Sequence, residues 1–131
     1  MIDTCVYIDL ARIDTATLPL EVELTAVSVA ELAQGVELAS NPAIRAARSE
    51  MLTSALRDFD PLPFDTEAAV RFQTLVALVV AAGRHPRPRR LDLMVAAIAS
   101  IRDLPLFTSN PDDFAGLDSA VDIVPVIVAA E

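Results

Sequence analysis

The chain has 131 residues, of which 53% are hydrophobic, and a formal net charge of −9. This length predicts one domain over residues 1–131, and the high hydrophobic content excludes an intrinsically disordered chain. The longest apolar run, residues 75–82, is far shorter than the about 20 residues that a membrane-spanning helix needs. With no secretory leader recognisable either, we expect a cytoplasmic protein that does not bind membranes.

Residue types that are missing or occur once exclude several kinds of site. Cys5 and His85 are the only residues of their types, which excludes an internal disulfide and a zinc site of four nitrogen and sulfur ligands. All ten basic residues are Arg, which excludes Schiff-base chemistry and the phosphate-binding loop that requires a Lys. Receiver domains and haloacid-type phosphatases also normally use a Lys, and dinucleotide binding lacks its Gly-x-Gly.

The first half of the chain is predicted to alternate between strands and helices. Strands are expected over residues 1–3 and 24–27, and helices over residues 4–10 and 28–39. Asn41 followed by Pro42 predicts the start of a further helix, which we expect to end near Asp58.

The second half continues this alternation. Residues 59–64 contain two prolines and are predicted to form no more than a short edge strand. Residues 65–82 have apolar positions at helical spacing, and Gly83 is typical of a helix C-terminus. A buried helix is expected over residues 91–101, and strands over residues 105–108 and 121–128, the last bent at Pro125. The order of elements predicts an α/β fold with a largely parallel sheet.

Two carboxylates are expected at junctions between a strand and a helix. Asp3 ends the first strand, at the edge of the sheet where α/β proteins place their ligands. Taken alone, Asp3 fits a cap of the following helix better. Glu31 follows Ser28 at the spacing of a capping box, but a side chain that points across the sheet fits equally well.

Asp92 lies in an almost wholly apolar segment. A buried carboxylate is costly unless a cation or a helix N-terminus compensates its charge. An ion pair with Arg89 or Arg90 would compensate the charge of Asp92, but we favour a functional role for this residue.

The turn over residues 108–114 has the sequence TSNPDDF and offers further oxygen ligands. Asp112 and Asp113 are adjacent carboxylates, and Asn110 adds an amide. Each of these residues taken singly fits an ordinary turn slightly better, since Asp and Asn are favoured in turns for conformational reasons.

Together the acidic positions indicate a metal site. Oxygen ligands without a His or Cys cluster suit Mg²⁺ or Mn²⁺ rather than zinc. Such ions promote hydrolysis of phosphodiesters, which is therefore the natural candidate reaction.

The net negative charge opposes binding of nucleic acid, but four basic residues fall within residues 84–90. They are Arg84, Arg87, Arg89 and Arg90. Their spacing fits a polyanion-binding patch and a solvated loop equally well.

Four segments in order resemble the motifs of the PIN domain and, within it, of the VapC toxins of type II toxin-antitoxin systems. They are MIDTCVYI at residues 1–8, SVAELAQG at residues 28–35, LDLMVAAIA at residues 91–99 and TSNPDDF at residues 108–114. No single segment is specific, but together they cover nearly the whole chain.

The resemblance implies a Rossmann-like PIN fold with three α/β/α layers and a short, mainly parallel sheet. It also implies RNA cleavage by Mg²⁺ or Mn²⁺ bound to carboxylates at one end of that sheet. The implied catalytic and metal-binding residues are Asp3, Glu31, Asp92 and Asp113, supported by Thr108, Asn110 and Asp112. Asn110 and Asp112 are alternatives to Asp113 as the fourth ligand. Cys5 departs from the Ser or Asn usual at its position.

The resemblance further implies an RNA substrate, which the Arg cluster would help to bind, a homodimer, and a VapB-like antitoxin. The antitoxin's C-terminal segment would cover the acidic site or supply an Arg to it. Asn110 and the net acidity motivate an alternative, a catalytically silent PIN-like domain that only binds a protein partner.

Overall fold

The computed structural model describes residues 1–130. The α-helices of this part of the chain are α1 Thr4–Ile8, α2 Ala26–Glu37, α3 Pro42–Asp58, α4 Thr66–Ala81 and α5 Arg90–Arg102. The strands are β1 Leu106–Thr108 and β2 Ile123–Pro125. Short 3₁₀ helices occupy Leu10–Arg12, Thr15–Thr17, Arg87–Arg89 and Pro111–Phe114.

The sheet is short and mainly parallel, as predicted. Strands β1 and β2 pair in parallel, and Ile2 adds a parallel bridge to Phe107 on the other side of β1. Further extended segments lie beyond Ile2 on this side of β1. The Ile2 amide donates to the Glu23 carbonyl at 3.0 Å, and Thr25 forms a parallel bridge with Leu62. The chain therefore has an α/β fold in which extended segments lie side by side around β1.

The two faces of this sheet contact different hydrophobic clusters. Met1 and Leu106 pack with the side chains of α4 and α5, whereas the adjacent Ile2 and Phe107 pack in the cluster that includes α1 and part of α3. Successive residues of a strand point to opposite faces, so helices cover the sheet on both sides. This is the expected three-layer α/β/α arrangement.

Helix α2 begins earlier than predicted. The prediction extended the second strand to Val27 and started the helix at Ser28, but Thr25 is the N-cap and its hydroxyl accepts the Ser28 amide at 3.1 Å. Val27 is buried on the first turn of the helix. The capping hydroxyl and the need to bury Val27 together place the helix start at Ala26.

The bounds of α3, α4 and α5 follow the local signals closely, whereas the strands expected over residues 1–3 and 24–27 form only single bridges at Ile2 and Thr25. Asn41 caps α3 by accepting the Ile44 amide at 2.9 Å, as predicted. Helix α1 is shorter than its predicted range of residues 4–10, because the chain continues into a 3₁₀ turn after Asp9. The final strand is also shorter than residues 121–128, since β2 ends at Pro125 and Val126 makes the last backbone hydrogen bond to β1, to the Thr108 carbonyl at 2.8 Å.

Helix α5 is buried, as its apolar sequence predicts. Leu93 and residues 95–99 are inaccessible to solvent, and α5 packs against α4. This helix carries Asp92 on its first turn. Within residues 1–130, no helix combines the length and the apolar character that crossing a membrane requires.

Candidate active site

Asp3 lies at the end of the first extended segment and accepts three hydrogen bonds. Its Oδ1 accepts the Thr4 amide at 2.8 Å and caps α1, while its Oδ2 accepts the Thr108 hydroxyl at 3.0 Å. The Cys5 thiol also donates to Oδ2, at 3.2 Å. Burial raises the pKa of Asp3, and these hydrogen bonds oppose the rise. Asp3 is therefore a helix cap and also lies at the sheet edge.

Cys5 belongs to a chain of hydrogen bonds that the sequence did not predict. The Ser109 hydroxyl donates to Cys5 Sγ at 3.2 Å, and Cys5 donates onward to Asp3. Burial, and after it the negative charge of Asp3, raise the pKa of Cys5, so its sulfur keeps the proton that it donates. The thiol thus makes a polar contact with Asp3. The only feature of the sequence that pointed to this contact was the position of Cys5 two residues after Asp3.

Glu31 lies on the second turn of α2 and points towards α1. Its Oε1 accepts the Thr4 hydroxyl at 2.7 Å, and the same hydroxyl is hydrogen-bonded to Ser28 at 2.7 Å. The capping box considered from the sequence is not formed, because Thr25 is the cap and Ser28 is buried against Thr4. Burial raises the pKa of Glu31, with the charge of Asp3 adding to the rise.

Asp92 is the most perturbed carboxylate of the site. Burial raises its pKa to about 7, and the negative charges of Asp3, Asp113 and Glu31 contribute, with only Arg89 opposing them. The ion pair considered from the sequence is not formed in the described part of the chain. Arg89 instead pairs with Asp113 at 3.3 Å, and Arg90 donates to the Arg87 carbonyl at 3.2 Å.

The turn after β1 brings only one of its candidate acids to the other carboxylates. The side chain of Asp113 is half-buried, and its charge acts on both Asp3 and Asp92. Asn110 and Asp112 are exposed. The backbone amide of Asn110 donates to the Thr108 hydroxyl at 3.0 Å. Because that hydroxyl donates to Asp3, it connects the turn to Asp3.

Four carboxylates thus act on one another from four separate elements, and we call them the acidic cluster. Its members are Asp3, Glu31, Asp92 and Asp113. Glu31 and Asp92 line an open cavity of about 330 Å³ together with the exposed side chains of Arg87 and Arg90. The cluster therefore combines repelling negative charges with an opening to solvent that two cations border.

The acidic cluster fits a hard divalent cation that keeps part of its water. Across residues 1–130, no three His, Cys, Asp or Glu side chains converge closely enough to enclose an ion by themselves. Mg²⁺ is usually bound by one or two carboxylates and retains several waters, so a closed cage is not required. Burial, and after it the negative charges of the other three carboxylates, raise the pKa of Asp92, and a bound cation would offset both effects.

Comparison with known proteins identifies the family. No protein-family model matches the chain. Ribonuclease VapC5 of Mycobacterium tuberculosis is 39% identical over 126 residues, which cover 94% of this chain and 90% of that protein. The chain belongs to the VapC family. This confirms the family resemblance drawn from the four segments.

Solved structures agree with this assignment. The VapC-family chain superposes on the VapBC-5 toxin-antitoxin structure from M. tuberculosis with a TM-score of 0.81 and 39% identity, covering 97% of this chain and 96% of the other. FitAcB from Neisseria gonorrhoeae gives 0.75 at 28% identity, covering 93% of this chain and 94% of that one. DNA-bound VapBC from Salmonella typhimurium also gives 0.75, but its 20% identity shows only the common fold.

Proposed function

We propose that this VapC-family chain is a Mg²⁺- or Mn²⁺-dependent endoribonuclease and the toxin of a VapBC-type pair. The observation that carries the proposal is the acidic cluster beside an open cavity, in which burial and three other carboxylates raise the pKa of Asp92 to about 7. Strongly perturbed carboxylates beside an open cavity are typical of catalytic sites. The 39% identity to a protein named as a ribonuclease supports RNA as the substrate.

The residues of the cluster have separate tasks in this proposal. Asp3 and Asp92 are the principal metal ligands, and Glu31 and Asp113 complete the site. A divalent cation bound there supplies charge stabilisation for a phosphodiester and activates water for attack. The hydroxyl of Thr108 and the thiol of Cys5 orient Asp3 through its Oδ2.

The exposed cations beside the cavity serve the substrate. Arg87 and Arg90 line the same cavity as Glu31 and Asp92, where they attract the RNA backbone towards the cluster. Because the whole chain carries a net charge of −9, these side chains must offset repulsion between protein and phosphate.

Substitution of the principal ligands tests this function. Asp3→Asn and Asp92→Asn should abolish Mg²⁺-dependent cleavage of RNA while a cooperative thermal transition remains. Asp118→Asn is the matched control, because Asp118 is an exposed carboxylate that lines a separate cavity. Full activity in either purified ligand variant would contradict the assignment.

Calorimetric titration with Mn²⁺ separates the nuclease from the alternative of a silent interaction domain. We expect binding to the wild-type chain and its loss in Asp92→Asn. If the wild-type chain bound no Mn²⁺ at millimolar concentration and cleaved no RNA, the interaction-domain hypothesis would replace the nuclease.

A VapB-like antitoxin has a suitable surface beside the cluster. An apolar groove of about 490 Å³ runs between α2 and α3 and reaches Glu31. It is lined by Ile8, Leu32, Leu38, Ile44, Ala47 and Met51, with Gly35 and Arg48. Ile8 and Leu38 are 50% and 70% exposed and belong to the same groove, and a contiguous exposed apolar surface is typical of a protein interaction site. We propose that an apolar segment of the antitoxin occupies this groove.

Co-expression with the proposed VapB-like antitoxin tests the groove. Leu38→Asp should abolish co-purification, whereas Val70→Asp, an equally exposed apolar position on α4, should not. Sedimentation of the free chain and of the complex tests the proposed homodimer. A purely monomeric free chain, or binding that survives Leu38→Asp, would contradict the respective proposal.

A further inference from the structure

The four arginines between residues 84 and 90 have different surroundings. Arg87 and Arg90 are exposed and line the cavity at the acidic cluster. Arg84 is half-buried, and its Nη1 donates to the backbone carbonyl of Asp112 at 2.6 Å. The contact joins positions 28 residues apart. Arg84 is therefore directed at the turn that carries Asp113 and away from the substrate cavity.

The backbone of Arg84 is held rigidly by the end of α4. Gly83 has a φ of 75°, and its amide donates to the Val80 carbonyl at 3.0 Å. The Arg84 amide donates to the Val79 carbonyl, also at 3.0 Å. This pair of bonds is a Schellman motif, in which the left-handed glycine closes the helix. The side chain of Arg84 consequently extends from a backbone whose position is fixed.

The turn that Arg84 contacts has little freedom of its own. The Asp112 carbonyl also accepts the Ala115 amide at 3.2 Å, and Phe114 is 1% exposed in the core. A Cβ at Gly116 would lie only 3.0 Å from the Cβ of Ala82, so this segment touches the end of α4 at a second point. The peptide between Asp112 and Asp113 is therefore held between α4 and the core.

We infer that Arg84 is a positioning residue, which holds the Asp113 carboxylate at the acidic cluster through the carbonyl of Asp112. Arg87 and Arg90 are left to contact the substrate. The inference rests on the proposed nuclease function, because positioning has a catalytic consequence only if Asp113 belongs to the metal site. A hydrogen bond to the peptide next to a ligand limits how far that ligand can move, as other supporting groups of metal sites do.

Three variants separate positioning from RNA contact. Arg84→Ala should lower kcat for RNA cleavage about tenfold and weaken Mn²⁺ affinity about tenfold in calorimetry, with the salt dependence of RNA binding unchanged. Arg84→Lys keeps a donor at the end of a long side chain and should restore much of both losses. Arg87→Ala is the matched control, which should raise KM and reduce the slope of log affinity against log salt concentration by about 0.7.

Hydrogen–deuterium exchange supplies a readout that does not depend on nuclease activity. Amides of residues 112–117 should exchange several-fold faster in Arg84→Ala than in the wild type, and at the wild-type rate in Arg87→Ala. Faster exchange in Arg84→Ala has a separate meaning if the wild-type chain neither binds Mn²⁺ nor cleaves RNA. It would keep the structural contact but remove the proposed function, and the positioning inference with it.

Two results would overturn the inference itself. One is Arg84→Ala with raised KM and a reduced salt slope at unchanged kcat and Mn²⁺ affinity, which would make Arg84 an RNA contact. The other is Arg84→Ala indistinguishable from the wild type in cleavage, Mn²⁺ affinity and exchange. Unfolding of Arg84→Ala would leave Arg84→Lys to decide between the two roles by the same measurements.

Discussion

Asp92 lies on the first turn of α5, immediately before the part of that helix from which solvent is excluded. Its pKa rises from 3.8 to about 7 in the folded chain. A carboxylate with a raised pKa favours the folded state most when it is protonated, below its unfolded pKa. That contribution is lost progressively as the pH rises from about 4 through about 7, so the metal-free chain should lose stability between these two pH values.

Asp92→Asn should therefore stabilise the metal-free chain at pH 8 and have almost no effect near pH 4. The pKa change corresponds to an upper bound on the order of 4 kcal/mol, and solvent screening of this partly exposed side chain reduces the expected gain to on the order of 1 to 2 kcal/mol. Urea unfolding with a chelator present, at both pH values, measures it. A variant less stable than wild type at pH 8 would show that the charge is already compensated.

Substitution of Cys5 tests the donor to Asp3. Cys5→Ser keeps a hydroxyl donor and should preserve Mn²⁺ affinity, whereas Cys5→Val fills the space but leaves Asp3 Oδ2 one hydrogen bond short. We expect Cys5→Val to weaken Mn²⁺ binding about tenfold in calorimetry, in the range found for groups that support metal ligands. Equal affinities in the two variants would show that the Thr108 hydroxyl alone orients Asp3.

At the scale of elements, caps and helix starts decide which side chains reach the site. Because α2 begins at Ala26 with Thr25 as its cap, Ser28 points inward to Thr4 and Glu31 follows one turn later. Helix α3 is capped in the same way by Asn41 but carries no member of the acidic cluster. The two caps therefore form a matched pair for experiment.

Thr25→Ala and Asn41→Ala should each lower the free energy of unfolding by about 1 kcal/mol, with Thr25→Ala towards 2 kcal/mol because it is buried. Only Thr25→Ala should also weaken Mn²⁺ binding, since α2 carries Glu31. Urea denaturation and calorimetry on the same preparations provide both values. An effect of Asn41→Ala on Mn²⁺ affinity would contradict the idea that the cap acts through its own helix.

At the scale of the whole molecule, an acidic chain must bind a polyanion through a small cationic surface. The net charge is −9, and two of the ten arginines line the cavity at the acidic cluster. RNA binding should therefore depend strongly on ionic strength.

Raising the salt concentration from about 50 to about 200 mM should weaken binding of single-stranded RNA about sevenfold, if two phosphate contacts are made. Arg87→Ala should reduce this effect to about threefold, with Asp92→Asn used throughout so that no cleavage occurs. Fluorescence anisotropy with a labelled oligonucleotide measures the affinity. Affinity that does not change with salt would show that the Arg cluster does not contact RNA.

The helices were predictable because their signals are local, whereas the strands expected over residues 1–3 and 24–27 form only single parallel bridges at Ile2 and Thr25. Asn41 with Pro42, and Gly83, marked two helix ends correctly, and the apolar run after Asp92 identified a buried helix. The start of α2 was not predictable in this way. Thr25 and Ser28 are both good caps, and only the need to bury Val27 and to bond Thr4 distinguishes them.

The sequence by itself determined the α/β order, the family and the set of acidic residues, because these depend on residue types and their spacing along the chain. The tertiary structure decided which acid of the turn joins the cluster, that Cys5 donates to Asp3, and that Arg84 and Arg89 contact this turn. Each of these contacts depends on side-chain directions, and most join elements far apart in the chain. Local patterns do not specify such directions, since they are set by how α4, α5 and the sheet pack together.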